Sequence, residues 1–250
     1  QDDDAAFEHY AKANRLGRAR IPAYEPTAQE ELVKSIITQC SARWFDQTKV
    51  DSDARPIFIC GMFRSGTTLL EQVLGAHPQI TSGGELAYFA RCCASGTLAP
   101  YPAALATLDH GVLQEVAEGY IAYLEERFPG AARVIDKRPD NILYLGVIKA
   151  LFPRAKIIHA TRHALDNALS VYFQNLDEKC NYATELTHIL HFNSQLRRLM
   201  DHWSTLFGDD ILPIHYDEFV TDQHAQTRRL LDFCGLPWHE DCLAFHARDS

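Results

Sequence analysis

Hydrophobic residues are arranged along this chain in two alternating rhythms. Short apolar runs read as buried strands: Pro56-Ile57-Phe58-Ile59-Cys60, Gln79-Ile80-Thr81, Arg133-Val134-Ile135-Asp136, Lys156-Ile157-Ile158-His159-Ala160, and Ile211 to His215. Between them apolar positions return every three or four residues, as with Leu69, Leu70, Val73 and Leu74, which predicts helices. Further helices are predicted over 86–94, 112–128, 141–151, 163–176, 183–206 and 222–234, the last closed by Gly235 and Pro237. Strands alternating with helices define an α/β chain, a mainly parallel sheet flanked by helices on both faces. Ligands of such sheets bind beyond the carboxyl ends of the strands.

Residues 1–45 keep helical spacing with no strand among them. Ala6, Phe7, Tyr10, Ala11, Ala13 and Leu16 mark one helix, and Leu32, Ile36 and Ile37 a second from Glu31 to Phe45, with Pro22 and Pro26 between. This segment is read as an N-terminal helical appendage. Asp46 to Arg55 is a polar linker into an α/β domain over 56–250. The 250 residues, 46% hydrophobic, suffice for one sizeable core. A net charge of −9 argues against non-specific nucleic-acid binding and against an anionic membrane surface. Seven cysteines without framework spacing suit a reducing compartment. No apolar run approaches about 18 residues and no signal peptide is present, so no membrane span and a cytoplasmic location are expected. The chain opens on Gln1 rather than Met, which leaves room for an upstream segment.

The most informative stretch follows the first strand. Gly61 ends that strand, Arg64-Ser65-Gly66-Thr67-Thr68 forms a small polar turn, and a helix begins. Strand, glycine turn and helix make a phosphate cradle, in which backbone N–H groups at the helix start converge on an anion. The spacing Gly61-x4-Gly66 is P-loop-like, but Thr67 stands where a nucleotide triphosphatase carries lysine. A β/γ-phosphate with Mg²⁺ is therefore disfavoured. Arg64 supplies a planar cation suited to a phosphate or sulfate group.

Polar residues also fall just beyond the other strands: Glu85 after the second, Lys137 after the third, Arg162 after the fourth, Tyr216 after the last. Cations at one sheet edge of an acidic protein describe a pocket for a polyanion. Residues His163 to Ser170 span about two helical turns, so Ser170 returns to the face near Arg162 and the two can share one phosphate.

The run RSGTTLLEQVLGAHPQITSGGE resembles the sulfotransferases that use 3′-phosphoadenosine-5′-phosphosulfate (PAPS), especially the tyrosylprotein sulfotransferases and their bacterial relatives. That resemblance implies roles for the residues. Arg64, Ser65, Gly66, Thr67 and Thr68 look like the 5′-phosphosulfate loop, and Arg162 and Ser170 like the 3′-phosphate site. Glu85 matches the base, Lys137 a lysine near the leaving group, and Tyr216 a residue near the nucleotide. Asp232-Phe233-Cys234-Gly235-Leu236-Pro237-Trp238 with Cys242 is similar to the bacterial relatives, many of which carry an N-terminal tetratricopeptide region. Residues 1–20 resemble the last helix of such a region. Phe63 departs from the family, which has proline there. Relatives also continue past the position of Ser250 with a segment that closes over the nucleotide, so that segment is expected to be missing here.

The resemblance implies sulfuryl transfer from PAPS to a hydroxyl-bearing acceptor (peptide, sugar or small molecule), leaving 3′-phosphoadenosine 5′-phosphate (PAP). Glu85 is the expected base, Arg64 and Lys137 stabilise developing charge, and no metal is required. The N-terminal helices are the expected surface for a protein partner or a second copy. Two rival readings stand beside this one. A P-loop kinase or nucleotidase would need Asp136 to bind Mg²⁺, and a non-catalytic nucleotide-binding module would dock through the N-terminal helices. Cys234, His239, Cys242 and His246 have spacings that suggest zinc, but apolar neighbours make them packing residues. His188 and His191, with Glu185 nearby, read as a solvated helix face.

Overall fold

A computed structural model of the chain describes residues 2–50, 52 and 54–247. Three helices come first: α1 (Asp3–Arg18), α2 (Pro26–Gln39) and α3 (Ala42–Thr48). Strand β1 (Ile57–Gly61) leads into α4 (Thr67–Gly75), followed by the very short β2 (Thr81–Ser82). Helices α5 (Tyr88–Ser95) and α6 (His110–Arg127) precede β3 (Val134–Lys137), and α7 (Leu145–Leu151) precedes β4 (Lys156–Thr161). Then come α8 (Ala164–Tyr172), the long α9 (Leu186–Phe207), β5 (Ile211–His215), α10 (Tyr216–Thr221) and α11 (Gln223–Cys234).

The five strands pair in the order β2-β3-β1-β4-β5, and every pairing is parallel. Successive side chains on a strand point to opposite faces. Phe58 and Cys60 of β1 accordingly enter one core while Ile57 and Ile59 enter the other. The larger core collects residues of α2, α3 and α6 to α9, and the smaller one lies under α4 and α11. From β4 the chain moves on to β5 at one edge of the sheet, whereas from the neighbouring β1 it moves to β2 at the other. The crevice at the carboxyl end of β1 is the topological switch point where such sheets bind ligands.

Several boundaries differ from the sequence reading. The helix expected from Glu31 starts earlier, because Pro26 is tolerated in a first turn, and it stops at Gln39. Ser41 then accepts a hydrogen bond from the Trp44 N–H (3.3 Å) and starts α3, which runs on to Thr48. Val33, Ile36, Cys40 and Trp44 are buried in the larger core, so α2 and α3 pack against the sheet's helices. Asp51 and Asp53 of the expected linker, and residues 248–250 of the expected domain, lie outside the described residues. The helix expected from Asn141 begins as a 3₁₀ turn, Pro139–Leu143, before α7. α10 answers to no sequence prediction, and Tyr216 begins it.

Candidate functional site

Gly61 closes β1 with φ +150°, and a Cβ there would lie 2.3 Å from the Ala160 carbonyl oxygen of β4. Only glycine lets the loop leave the sheet so close to its neighbour. Ser65, 2% exposed, ties the turn by donating both its N–H (3.2 Å) and its hydroxyl (2.6 Å) to the Met62 carbonyl. Arg64 sits at φ +67°, a left-handed conformation that costs a non-glycine residue on the order of 1 kcal/mol. Gly66, at φ +100°, caps α4, and a Cβ there would lie 2.7 Å from the Tyr216 ring. The loop therefore leaves an open cradle at the helix start, where the first N–H groups have no partner within the helix. Thr67 is buried in the first turn, and Thr68 beside it is exposed.

The β4 side of the cradle supplies the other cation. Arg162 leaves the end of β4, donates from Nη1 to the Arg64 carbonyl (3.4 Å), and lies 4.8 Å over the Tyr216 ring. Arg64 in turn donates from Nε to the Ser170 hydroxyl (3.3 Å) on α8. Asn167, also on α8 and 1% exposed, donates from Nδ2 to the Phe63 carbonyl (2.8 Å). Two buried atoms on this side, Arg162 Nε and Asn167 Oδ1, have no hydrogen-bond partner among the described residues.

A second cluster lies on the β3 side. Lys137, 7% exposed at the end of β3, donates to Glu85 Oε1 (2.9 Å) and lies 3.7 Å from Glu71 Oε2. Glu71 of α4 accepts the Gly84 N–H (2.9 Å), and burial raises its pKa despite the nearby Lys137 ammonium. Behind it Asp136 is fully buried, accepting from Tyr120 (3.1 Å) and Asn141 (2.9 Å). Burial pushes its pKa up to about 7.

The residues singled out from sequence thus gather at the carboxyl edge of the sheet, in two groups either side of β1. Arg64, Ser65, Gly66, Thr67, Thr68, Arg162, Ser170 and Tyr216 make one group, and Glu85 with Lys137 the other. Glu71 and Asn167 were missed. A carboxylate at an interior helix position reads as solvated until the Gly84 N–H and Lys137 are seen to cover it. Asn167 had a weak signal, since it lies between Arg162 and Ser170 in the chain and shares α8 with Ser170. Among the described residues no three His, Cys, Asp or Glu side chains converge to hold a metal ion. Cys234 and Cys242 are buried in the smaller core, His188 pairs with Glu185 (3.1 Å), and His191 turns to Tyr24 and Glu30. No described helix is long and apolar enough to cross a membrane.

Comparison with known proteins gives the family and the fold. A model of the sulfotransferase family matches residues 56–240. The chain belongs to the sulfotransferase family. An uncharacterized protein of Aquifex aeolicus is 33% identical across 98% of this chain, which spans 34% of that protein. The protein-tyrosine sulfotransferase of Drosophila melanogaster is 26% identical across 88% of this chain, which spans 45% of it. Among solved structures, the sulfotransferase domain of the Synechococcus PCC 7002 olefin synthase superposes with a TM-score of 0.55 at 22% identity, covering 80% of this chain and 82% of that one. The Alicyclobacillus acidocaldarius sulfotransferase gives 0.51 at 20% identity, covering 78% and 92%. These two likenesses concern the fold.

Proposed function

We propose that the chain transfers a sulfuryl group from PAPS to an acceptor hydroxyl, with Glu85 as base and PAP as product. The observation that carries this is the contact between Arg162 and the Arg64 carbonyl, which puts two guanidinium groups on neighbouring strand ends within reach of one molecule. The residues present fit a donor with separate anions at its two ends. Gly66 lets the loop backbone pass against the Tyr216 ring, where a Cβ would clash, and the buried Arg162 Nε awaits an acceptor.

The donor supplies an activated sulfuryl group on a good phosphate leaving group. Thr67, Thr68 and the first N–H groups of α4 hold the 5′-phosphate side, and Arg162 with Ser170 holds the 3′-phosphate, with the Tyr216 ring beside them. Lys137 fixes Glu85 through Oε1, which leaves Oε2 to take the acceptor's proton as its oxygen bonds to sulfur. The bond from sulfur to the leaving phosphate oxygen breaks in the same displacement. Lys137 and Arg64 offset the charge that develops on that oxygen and on the sulfuryl group.

The kinase reading relied on Asp136 as a magnesium ligand. Its side chain is sealed in the core and already accepts from Tyr120 and Asn141. Thermal-shift measurements test the choice directly. PAP is expected to stabilise the protein and to lose that effect in Arg162→Ala, and stabilisation by ATP-Mg²⁺ alone moves the assignment to a kinase. Transfer of labelled sulfate from PAPS, abolished in Glu85→Ala while PAP still binds, tests the base.

A further inference from the structure

A cleft of about 610 Å³ opens beside Glu85 and Phe63, walled by residues 23–32 and by the segment 176–182. That size suits one small molecule. Its walls are aromatic: Tyr24, Phe63, Tyr182 and Phe192 line it, the last two stacked at 3.9 Å.

The polar groups of the cleft have a bias. In the neutral imidazole of His191, Nε2 donates to Glu30 (3.0 Å) and Nδ1 accepts from the Tyr24 hydroxyl (2.8 Å). Tyr24 has thereby spent its only proton and offers lone pairs to a ligand. Tyr182, 3% exposed, has a hydroxyl that meets no acceptor stronger than the Cys180 thiol, and the buried Gln29 amide nitrogen has no partner. Both are donors, and they call for an oxygen acceptor, which the hydroxyl of a ligand supplies.

Charge decides what else the ligand carries. Arg138 is held by Asp140 (3.0 Å) and Lys137 by Glu85 (2.9 Å), so neither cation is free. That leaves Glu25 and Asp177 on the lining against a single exposed cation, Lys179. An acceptor bearing a carboxylate enters against this field, and one bearing an ammonium enters with it.

We propose that this cleft is the acceptor site and selects a phenolic or other hydroxyl compound with an aromatic body and a cationic amine. The inference rests on the reading of Glu85 as base. Its chemistry adds no step to the one above, because the amine serves recognition and the hydroxyl receives the sulfuryl group.

The test uses three matched probes: tyramine, 3-(4-hydroxyphenyl)propionate and the neutral 2-(4-hydroxyphenyl)ethanol. Each is titrated by calorimetry into the chain saturated with PAP. Tyramine is expected to bind at least about tenfold more tightly than the propionate, with the neutral alcohol between them. In a Glu25→Gln, Asp177→Asn double variant that preference is expected to shrink toward equality, and in Lys179→Gln to widen. Equal or tighter binding of the propionate, or no binding of any probe to the PAP complex, overturns the proposal while leaving the donor assignment standing. Failure of PAP itself to bind the folded chain removes the donor assignment instead.

Discussion

Lys137 is nearly sealed from solvent yet has two carboxylates in reach, Glu85 at 2.9 Å and Glu71 at 3.7 Å. A buried ammonium with one partner is costly, and the second acid together with the Gly84 N–H makes a connected network. The adjoining residue on β3 behaves differently. Asp136 has no cationic partner within hydrogen-bonding distance among the contacts described, and burial raises its pKa from about 3.9 in an unfolded chain to about 7. The folded state therefore favours its neutral form. That contribution is fully present below about pH 4 and is lost as pH rises through about 7. The melting temperature of Asp136→Asn relative to the unsubstituted protein is expected to climb by about 5–10 °C between pH 4 and pH 8, read by calorimetry. A difference that stays flat with pH means that Asp136 is charged in the fold. At this scale the sequence placed Arg64, Glu85 and Arg162 at the carboxyl edge of the sheet, because such residues follow strand ends. It hid Glu71, whose burial depends on a loop and a strand distant in the chain.

Helix α2 was legible as a helix, but its place in the fold was not. Its apolar positions announce a face that must be covered, without saying by what. In the structure it packs on α9, Ile36 is fully buried in the larger core, and Tyr24 just ahead of it bonds to His191 of α9. Ile36→Ala is expected to cost about 2–5 kcal/mol, seen as a fall in the urea midpoint. A loss under about 0.5 kcal/mol would be that of a surface position and would mean α2 is only loosely attached. Other elements were misjudged for local reasons. The break at Cys40-Ser41 lies inside an unbroken apolar rhythm, and only the Ser41 cap marks it. α10 is six residues long and opens Tyr216-Asp217-Glu218, too short and acidic for periodicity to register. Four strands, each a compact apolar run, were found at nearly their observed positions, whereas β2 is the polar pair Thr81–Ser82 and shares only Thr81 with the expected Gln79-Ile80-Thr81; the order of the strands in the sheet required the pairing itself.

Taken whole, the molecule carries a net charge of −9 but gathers Arg64, Arg162 and Lys137 at one sheet edge. The local cations must overcome a general repulsion of any polyanion, and added salt weakens both. For a partly exposed site the short-range attraction dominates. PAP affinity is therefore expected to fall several-fold between about 50 and 500 mM NaCl, measured by calorimetry. Affinity that rises with salt would mean that long-range repulsion governs binding. A mainly parallel sheet and the strand-turn-helix start were both expected from the sequence, the pairings found are all parallel, and the switch point at β1 explains why the anion groups meet there.

The hydrogen bond from Arg162 to the backbone of Arg64 joins the seats proposed for the two phosphates. A nucleotide that carries both anions then acts as a chelate. Once one end is docked, the other meets its seat at a high effective concentration, and the two affinities multiply. A nucleotide with only one of the anions forgoes that gain, so the pairing of these arginines discriminates by ligand shape as well as by charge.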